Sequence, residues 1–277
     1  MNKQNFQLIT SDDEVLRITV YGSLLNINRC IIFVHGFKGF KDWGFVPYLG
    51  DYFALKGFFV ITFNFSHNGI GKNLLVFTEM DKFSRNTYSR EIRELSEIID
   101  AYANNFFGKV DKHKIGLLGH SRGGAISLLT AKNIKEINAV ALWSSISRVD
   151  RYTNHQKEEW KKKKFYEITN QRTGQVMRLD ISILDDIEEN LHTTLNISEA
   201  ISKLNKPLLI AHGEEDLTVP IKEAEELYSW SNKKYSEFIK IPSTGHTFNI
   251  KHPFEGSNKM FDELLEKTYL FFKENLN

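Results

Sequence analysis

The sequence predicts an α/β fold in which a mostly parallel central sheet is covered by helices on both faces. Three observations predict it. Short apolar runs rich in β-branched and aromatic residues alternate along the chain with longer segments of helical period. Three of those runs, at 30–34, 115–118 and 208–211, are continuously apolar rather than alternating, as strands buried on both faces are. Finally, 277 residues with 41% hydrophobic side chains are enough for one large domain with a buried core.

In chain order, the pattern places strands at 15–21, 30–34, 58–63, 115–118, 139–143, 208–211 and 238–241. Helices are expected at 46–56, 84–107, 124–134, 221–231 and 260–274. The last carries Phe261, Leu264, Leu265, Tyr269, Phe271 and Phe272, an apolar stripe that would close the chain against the core. Residues 147–195 break the rhythm. They are polar and charged, with lysines at 161–164, a hairpin expected from 165–169 and 175–179 around Arg172-Thr173-Gly174, and a short helix at 185–192. This reads as a cap inserted into a single domain spanning 1–277, with the lysine run as a solvated face.

Composition limits the classes of function. Thirty-six Lys and Arg against 35 Asp and Glu leave no bulk field to draw nucleic acid or a membrane surface, so neither is an expected partner. The single cysteine, Cys30, excludes an intrachain disulfide and suggests a reducing compartment. No apolar stretch approaches the ~18 residues of a membrane span, and residues 1–10 lack the apolar run of a signal peptide. A cytoplasmic location is the expectation.

The strongest chemical signal is Gly119-His120-Ser121-Arg122-Gly123, which follows one apolar run and precedes a helical segment. A strand-to-helix turn this tight leaves no room for side chains two residues either side of the serine. Ser121 would then sit at a helix N-terminus, where free N–H groups favour developing negative charge. A serine hydroxyl needs a neighbouring base, and histidine titrates in the useful range. His246 lies in a loop just after the strand expected at 238–241, and loops at the carboxyl ends of parallel strands converge at one sheet edge. Its rival is His252; Gly245, permitting a sharp turn beyond the strand, favours His246. His35 and His120, at strand ends, suit shaping the site. The acid should follow another strand, and 208–211 runs into Glu214-Glu215-Asp216. Asp216 is chosen because it sits at the loop tip before Pro220 opens the next helix; Glu214 and Glu215 are expected to be solvated. Acyl transfer also needs two N–H donors for the oxyanion. These are assigned to the backbones of Arg122, after the nucleophile, and Phe37, after the flexible Gly36.

With the order Ser121, Asp216, His246, these segments resemble the α/β-hydrolase superfamily over nearly the whole chain, and match neither the chymotrypsin nor the subtilisin order. Within it, His35-Gly36-Phe37, the segment Asn64-Phe65-Ser66-His67-Asn68-Gly69, and His212-Gly213 with Asp216 and Pro220 are similar to the group of cinnamoyl (feruloyl) esterases and serine-aminopeptidase-like hydrolases. Relatives often carry an Arg-Gly or similar turn where this chain has Ser66-His67-Asn68-Gly69. The resemblance implies an inserted cap and a serine hydrolase needing neither cofactor nor metal. Ser121 argues against the cysteine nucleophile of dienelactone hydrolases. A small-molecule ester substrate is the first expectation. A peptidase of short peptides is the second, with Asp185, Asp186, Glu188 and Glu189 as holders of a free amine. A non-catalytic binding protein is the rival from another class. Trp160, Phe165, Tyr166 and Met177 would either line an acyl pocket or form the cap's own core.

Overall fold

The computed structural model describes residues 2–25, 27–73, 75–111 and 113–277; Met1, the first residue of the N-terminal segment discussed above, lies outside that set with Asn26, Leu74 and Lys112. In chain order the main elements are β1 (Lys3–Ile9), β2 (Val15–Tyr21), β3 (Cys30–Val34), α1 (Val46–Leu55), β4 (Phe59–Asn64), α2 (Met80–Ser84), α3 (Tyr88–Ala103), β5 (Ile115–His120), α4 (Arg122–Ala131) and β6 (Ile137–Trp143). There follow α5 (Asn154–Lys163), β7 (Phe165–Thr169), β8 (Val176–Asp180), α6 (Ile181–Asn190), α7 (Ile197–Ser202), β9 (Leu208–Gly213), α8 (Ile221–Trp230), β10 (Ser236–Ile241) and α9 (Lys259–Asn275).

Eight strands form one sheet in the order β1-β2-β4-β3-β5-β6-β9-β10. The pairs from β4 through β10 are parallel, and β1 and β2 are antiparallel at one edge. The continuous apolar runs occupy its centre, where every residue of β3, β4, β5 and β9 is buried. Alternation within a strand decides the face each side chain serves. Cys30, Ile32 and Val34 join one core with residues of α3, α4, α7 and α8; Ile31 and Phe33 join the other with α1 and α9. The sheet is thus sandwiched, and its carboxyl edge is left for the loops.

Several elements differ from the sequence expectation. β1 was not anticipated: its segment is mostly polar and exposed, as an edge strand can be when only Phe6 and Leu8 meet the core. The helix expected at 84–107 runs only from Tyr88 to Ala103: Thr87 caps its start by accepting the Arg90 N–H, and Ser84 instead ends the separate short α2. α5 was also unforeseen. Its N-terminus carries a full capping box between Thr153 and Gln156, and Lys161, Lys162 and Lys163 lie in its last turn. The lysine run therefore complements the helix dipole. The helix expected at 185–192 starts at Ile181, since Asp180 caps it by accepting the Ser182 N–H. The hairpin forms as expected, with its second strand at β8. No helix among the described residues is long and apolar enough to cross a membrane.

Candidate active site

The turn between β5 and α4 places Ser121 at φ 58° and ψ −123°, a conformation rare for any residue but glycine. The flanking glycines are required by contact. A Cβ on Gly123 would stand 2.1 Å from the Val34 carbonyl oxygen, and one on Gly119 would stand 2.3 Å from that of Gly123. The strain is held by the sheet: the Ser121 N–H donates to the Trp143 carbonyl at 2.9 Å, and its own carbonyl accepts from Gly124 at 3.0 Å.

The loop after β3 comes against the same serine, since a Cβ on Gly36 would lie 2.8 Å from Ser121 Cβ. His35 turns this loop into a donor. Its Nδ1 lies 3.0 Å from the Gly36 carbonyl oxygen and its Nε2 3.3 Å from the Phe65 amide nitrogen. A carbonyl can only accept, so Nδ1 carries the proton and Nε2 accepts. Burial, reinforced by the Arg122 charge, pushes His35 down to about 4, which keeps that neutral tautomer. In a planar trans peptide the N–H points opposite the C=O. Pinning the Gly36 carbonyl to His35 therefore turns the Phe37 N–H away from it. Neither the Phe37 nor the Arg122 amide donates to any acceptor among the described residues.

The imidazole side is built from β9 and β10. Gly213 presses on the His246 loop so closely that a Cβ there would meet the Thr244 oxygen at 2.4 Å. His246 Nδ1 stands 2.7 Å from Asp216 Oδ2. The other oxygen, Oδ1, accepts the Thr218 and Val219 amides at 2.9 Å each. Burial opposes ionisation of Asp216, but hydrogen bonds from His212 and His246 outweigh it and hold the carboxyl well below its usual range. His120 donates from Nε2 to the His246 carbonyl at 2.9 Å and is pushed down to about 3 by burial beside that second imidazole. It braces the loop as a neutral ring.

Ser121 and His246 line the same two recesses. The smaller, about 150 Å³, has aromatic walls from Phe33, Phe37, Phe40, Trp43 and Phe45. The larger, about 370 Å³, is bounded by Tyr88, Ile146, Arg151, Tyr152, Leu179, Ile183 and Val219, so part of the segment between β6 and β9 closes it. Ser121 Oγ makes no hydrogen bond among the described residues.

The structure thus brings together all five residues singled out from the sequence: Ser121, His246, Asp216 and the backbones of Phe37 and Arg122. Glu214 and Glu215 are exposed. His252 accepts the Gly44 N–H at 2.9 Å on its Nδ1 and stacks on Trp43, outside both recesses. The reason given for His246 needs correction. Gly245 keeps an ordinary φ, and the positive angles that shape the loop belong to Ser243, Phe248 and Asn249. Trp160, Tyr166 and Met177 line neither recess; Trp160 stacks on Tyr166 and, with Met177, is fully buried in the core that also holds residues of α3 and α4. Sequence reasoning missed the Arg122 side chain. It is buried with Nε 2.8 Å from Glu91 Oε2, its guanidinium 3.7 Å from the Tyr88 ring centre and 5.8 Å from that of Phe37. One side chain thereby ties together both segments that supply free amides.

Fold and site together define a hydrolase of the α/β-hydrolase fold. Residues 51–277 match the model of the prolyl oligopeptidase family, and the chain belongs to that family. No curated protein matches it significantly. Among solved structures, Est1E from Butyrivibrio proteoclasticus with ferulic acid bound superposes with a TM-score of 0.72 at 17% identity, covering 98% of this chain and 99% of that one. The alpha/beta hydrolase GrgF from Penicillium sp. sh18 gives 0.77 at 14% identity, covering 100% and 99%. An esterase from Pyrococcus furiosus gives 0.65 at 17%, covering 100% and 92%. At these identities the likeness carries the fold.

Proposed function

We propose that this chain hydrolyses carboxylic esters of small or aromatic acyl groups, with Ser121 as nucleophile, His246 as general base and Asp216 as its partner. One observation carries the reading. A serine held at φ 58° lines the same recesses as a histidine backed by a buried carboxylate at 2.7 Å, beside two backbone amides with no acceptor among the described residues. In the reaction, Ser121 Oγ attacks the acyl carbon while His246 Nε2 takes its proton. Asp216 stabilises the imidazolium without itself being protonated. The carbonyl oxygen gains charge between the Phe37 and Arg122 amides. Collapse expels the alcohol, which receives the proton from His246, and leaves an acyl-enzyme. Water then attacks by the reverse path, His246 taking its proton and returning one to Ser121.

A second reading, hydrolysis of short peptides, is favoured by the family's description. Such an enzyme needs a carboxylate for the substrate's free amine, and no Asp or Glu among the described residues lines either recess. The candidates considered from the sequence are engaged or turned elsewhere. Asp186 accepts from the Ser89 amide at 3.1 Å, Glu188 pairs with Lys161 at 2.7 Å, and Asp185 and Glu189 are exposed. Likeness to proteins named as esterases points the same way. The test compares turnover of p-nitrophenyl butyrate with that of alanine p-nitroanilide. The ester should be cleaved at least ~10³-fold faster in kcat/KM, a margin of about 4 kcal/mol in transition-state stabilisation. Comparable or faster anilide cleavage would move the peptidase reading to the front.

A further inference from the structure

The larger recess is charged in one sense only. Of its lining residues, three are cations, Lys38, Arg122 and Arg151, and none is a carboxylate. Arg122 is neutralised where it lies by Glu91. Arg151 is anchored rather than satisfied: its Nη1 reaches both oxygens of Glu223 at 2.7 and 2.6 Å, while its Nη2 and Nε have no acceptor among the described residues. Lys38 is the unusual one. It is half-buried, at φ 59°, beside the very amide assigned to the oxyanion. Among the described residues it has neither a carboxylate within 4.0 Å nor a hydrogen-bond acceptor, and its ammonium rests 5.7 Å from the Phe37 ring centre. Burial pushes its pKa down with no neighbouring charge to raise it. An ammonium removed from water without a counter-ion is costly, and the usual compensation is an anion.

From this arrangement we infer that the substrate carries a carboxylate on the part that fills the larger recess, received by Lys38 with the free edge of Arg151. The inference rests on the esterase reading above and names the substrate class for the same site. The aromatic recess then takes a compact apolar group. Lys38 lines both recesses, so its charge stands close to the scissile bond, and the carboxylate would be separated from the ester by only a few atoms. Arg151 fixes the far end of the anion's position, because Glu223, which also accepts the Ser147 amide at 2.8 Å, holds the guanidinium in place.

The experiment uses two matched pairs of esters on the full chain. In the first pair the charge is on the acyl side: mono-p-nitrophenyl glutarate against its methyl-capped diester. In the second it is on the alcohol side: 4-butyryloxybenzoate against its methyl ester. The wild type should prefer the anion by about tenfold or more in kcat/KM in at least one pair, as one charge-assisted contact implies. The preference should shrink as salt is raised. Lys38→Met should remove most of it, Lys38→Glu should invert it, and Lys38→Arg should retain it. A neutral preference in both pairs, or an anion preference unchanged in Lys38→Met, would overturn the inference while leaving the esterase reading standing. No turnover of any of the four esters would overturn both.

Discussion

At the scale of single residues, the proposed chemistry depends on groups whose roles separate cleanly by what they touch. Asp216 touches His246, the buried His212 and two backbone amides, so Asp216→Asn keeps the shape and alters the tautomer His246 is held in. A loss of about 10⁴ in kcat is expected, while Glu214→Ala and Glu215→Ala, both exposed, should stay near wild type. Steady-state kinetics on p-nitrophenyl butyrate checks all three, and equal losses at Glu214 would shift the acid's role to it. His35 acts one step further back, as a positioning residue for the Phe37 amide through the Gly36 carbonyl. Removing one oxyanion donor costs about 10²–10³ in kcat, so His35→Ala should lose up to that amount with KM little changed. A loss in KM alone would assign His35 to substrate binding. Ser121 and Asp216 were legible because their neighbours in sequence carry the geometry. His35 was legible only as a shaper, since its function lies in contacts to Gly36 and Phe65 that no linear pattern displays.

At the scale of elements, the apolar runs predicted the strands because burial on both faces forces continuous hydrophobicity. The same logic fails at β1 and α5. One is an edge strand with little to bury, and the other buries only Trp160 while Lys161, Lys162 and Lys163 stay in water. The stability of the segment between β6 and β9 therefore concentrates in few side chains. Trp160 is fully buried between Tyr152 and Tyr166, at ring-centre distances of 5.0 and 5.5 Å. Trp160→Ala should cost about 3–5 kcal/mol in urea denaturation, with faster amide exchange across α5 and β7 than elsewhere. A second element-level dependence lies in α3, whose Glu91 is buried against Arg122 at the start of α4. Glu91→Ala leaves a buried guanidinium unpaired and should destabilise the chain by about 3–5 kcal/mol. Neither Glu91 nor its partner could be found from spacing, because the pair joins two helices 31 positions apart.

At the scale of the whole molecule, burial of titratable groups sets a pH range for folding. His35 and His67 are pushed down to about 4 and His120 to about 3, in each case chiefly by burial, from an ordinary 6.5. Their contribution is complete above about 6.5 and is lost as pH falls toward those values, because the unfolded chain takes up protons first. Glu91 and Glu94 are raised by burial and act in the opposite sense, their contribution being lost as pH rises through the raised values. The three imidazoles outnumber the two carboxyls over the same range, so the melting temperature should fall on the acid side from about pH 6.5. A melting temperature constant down to pH 4 would contradict the neutral, buried state of these imidazoles. The sheet and the strand-edge location of the site were readable from the chain, since periodicity and a glycine-flanked serine encode them. The charge of the recess was not, because Lys38 and Arg151 come to line one recess only after the segment following β6 folds back over the loop after β3. The central claim, an activated Ser121, is tested most directly by intact-mass analysis after treatment with a fluorophosphonate, wild type beside Ser121→Ala. A single adduct on the wild type and none on the variant is the predicted result. A well-folded wild type that stays unlabelled, or a variant that labels equally, would contradict it.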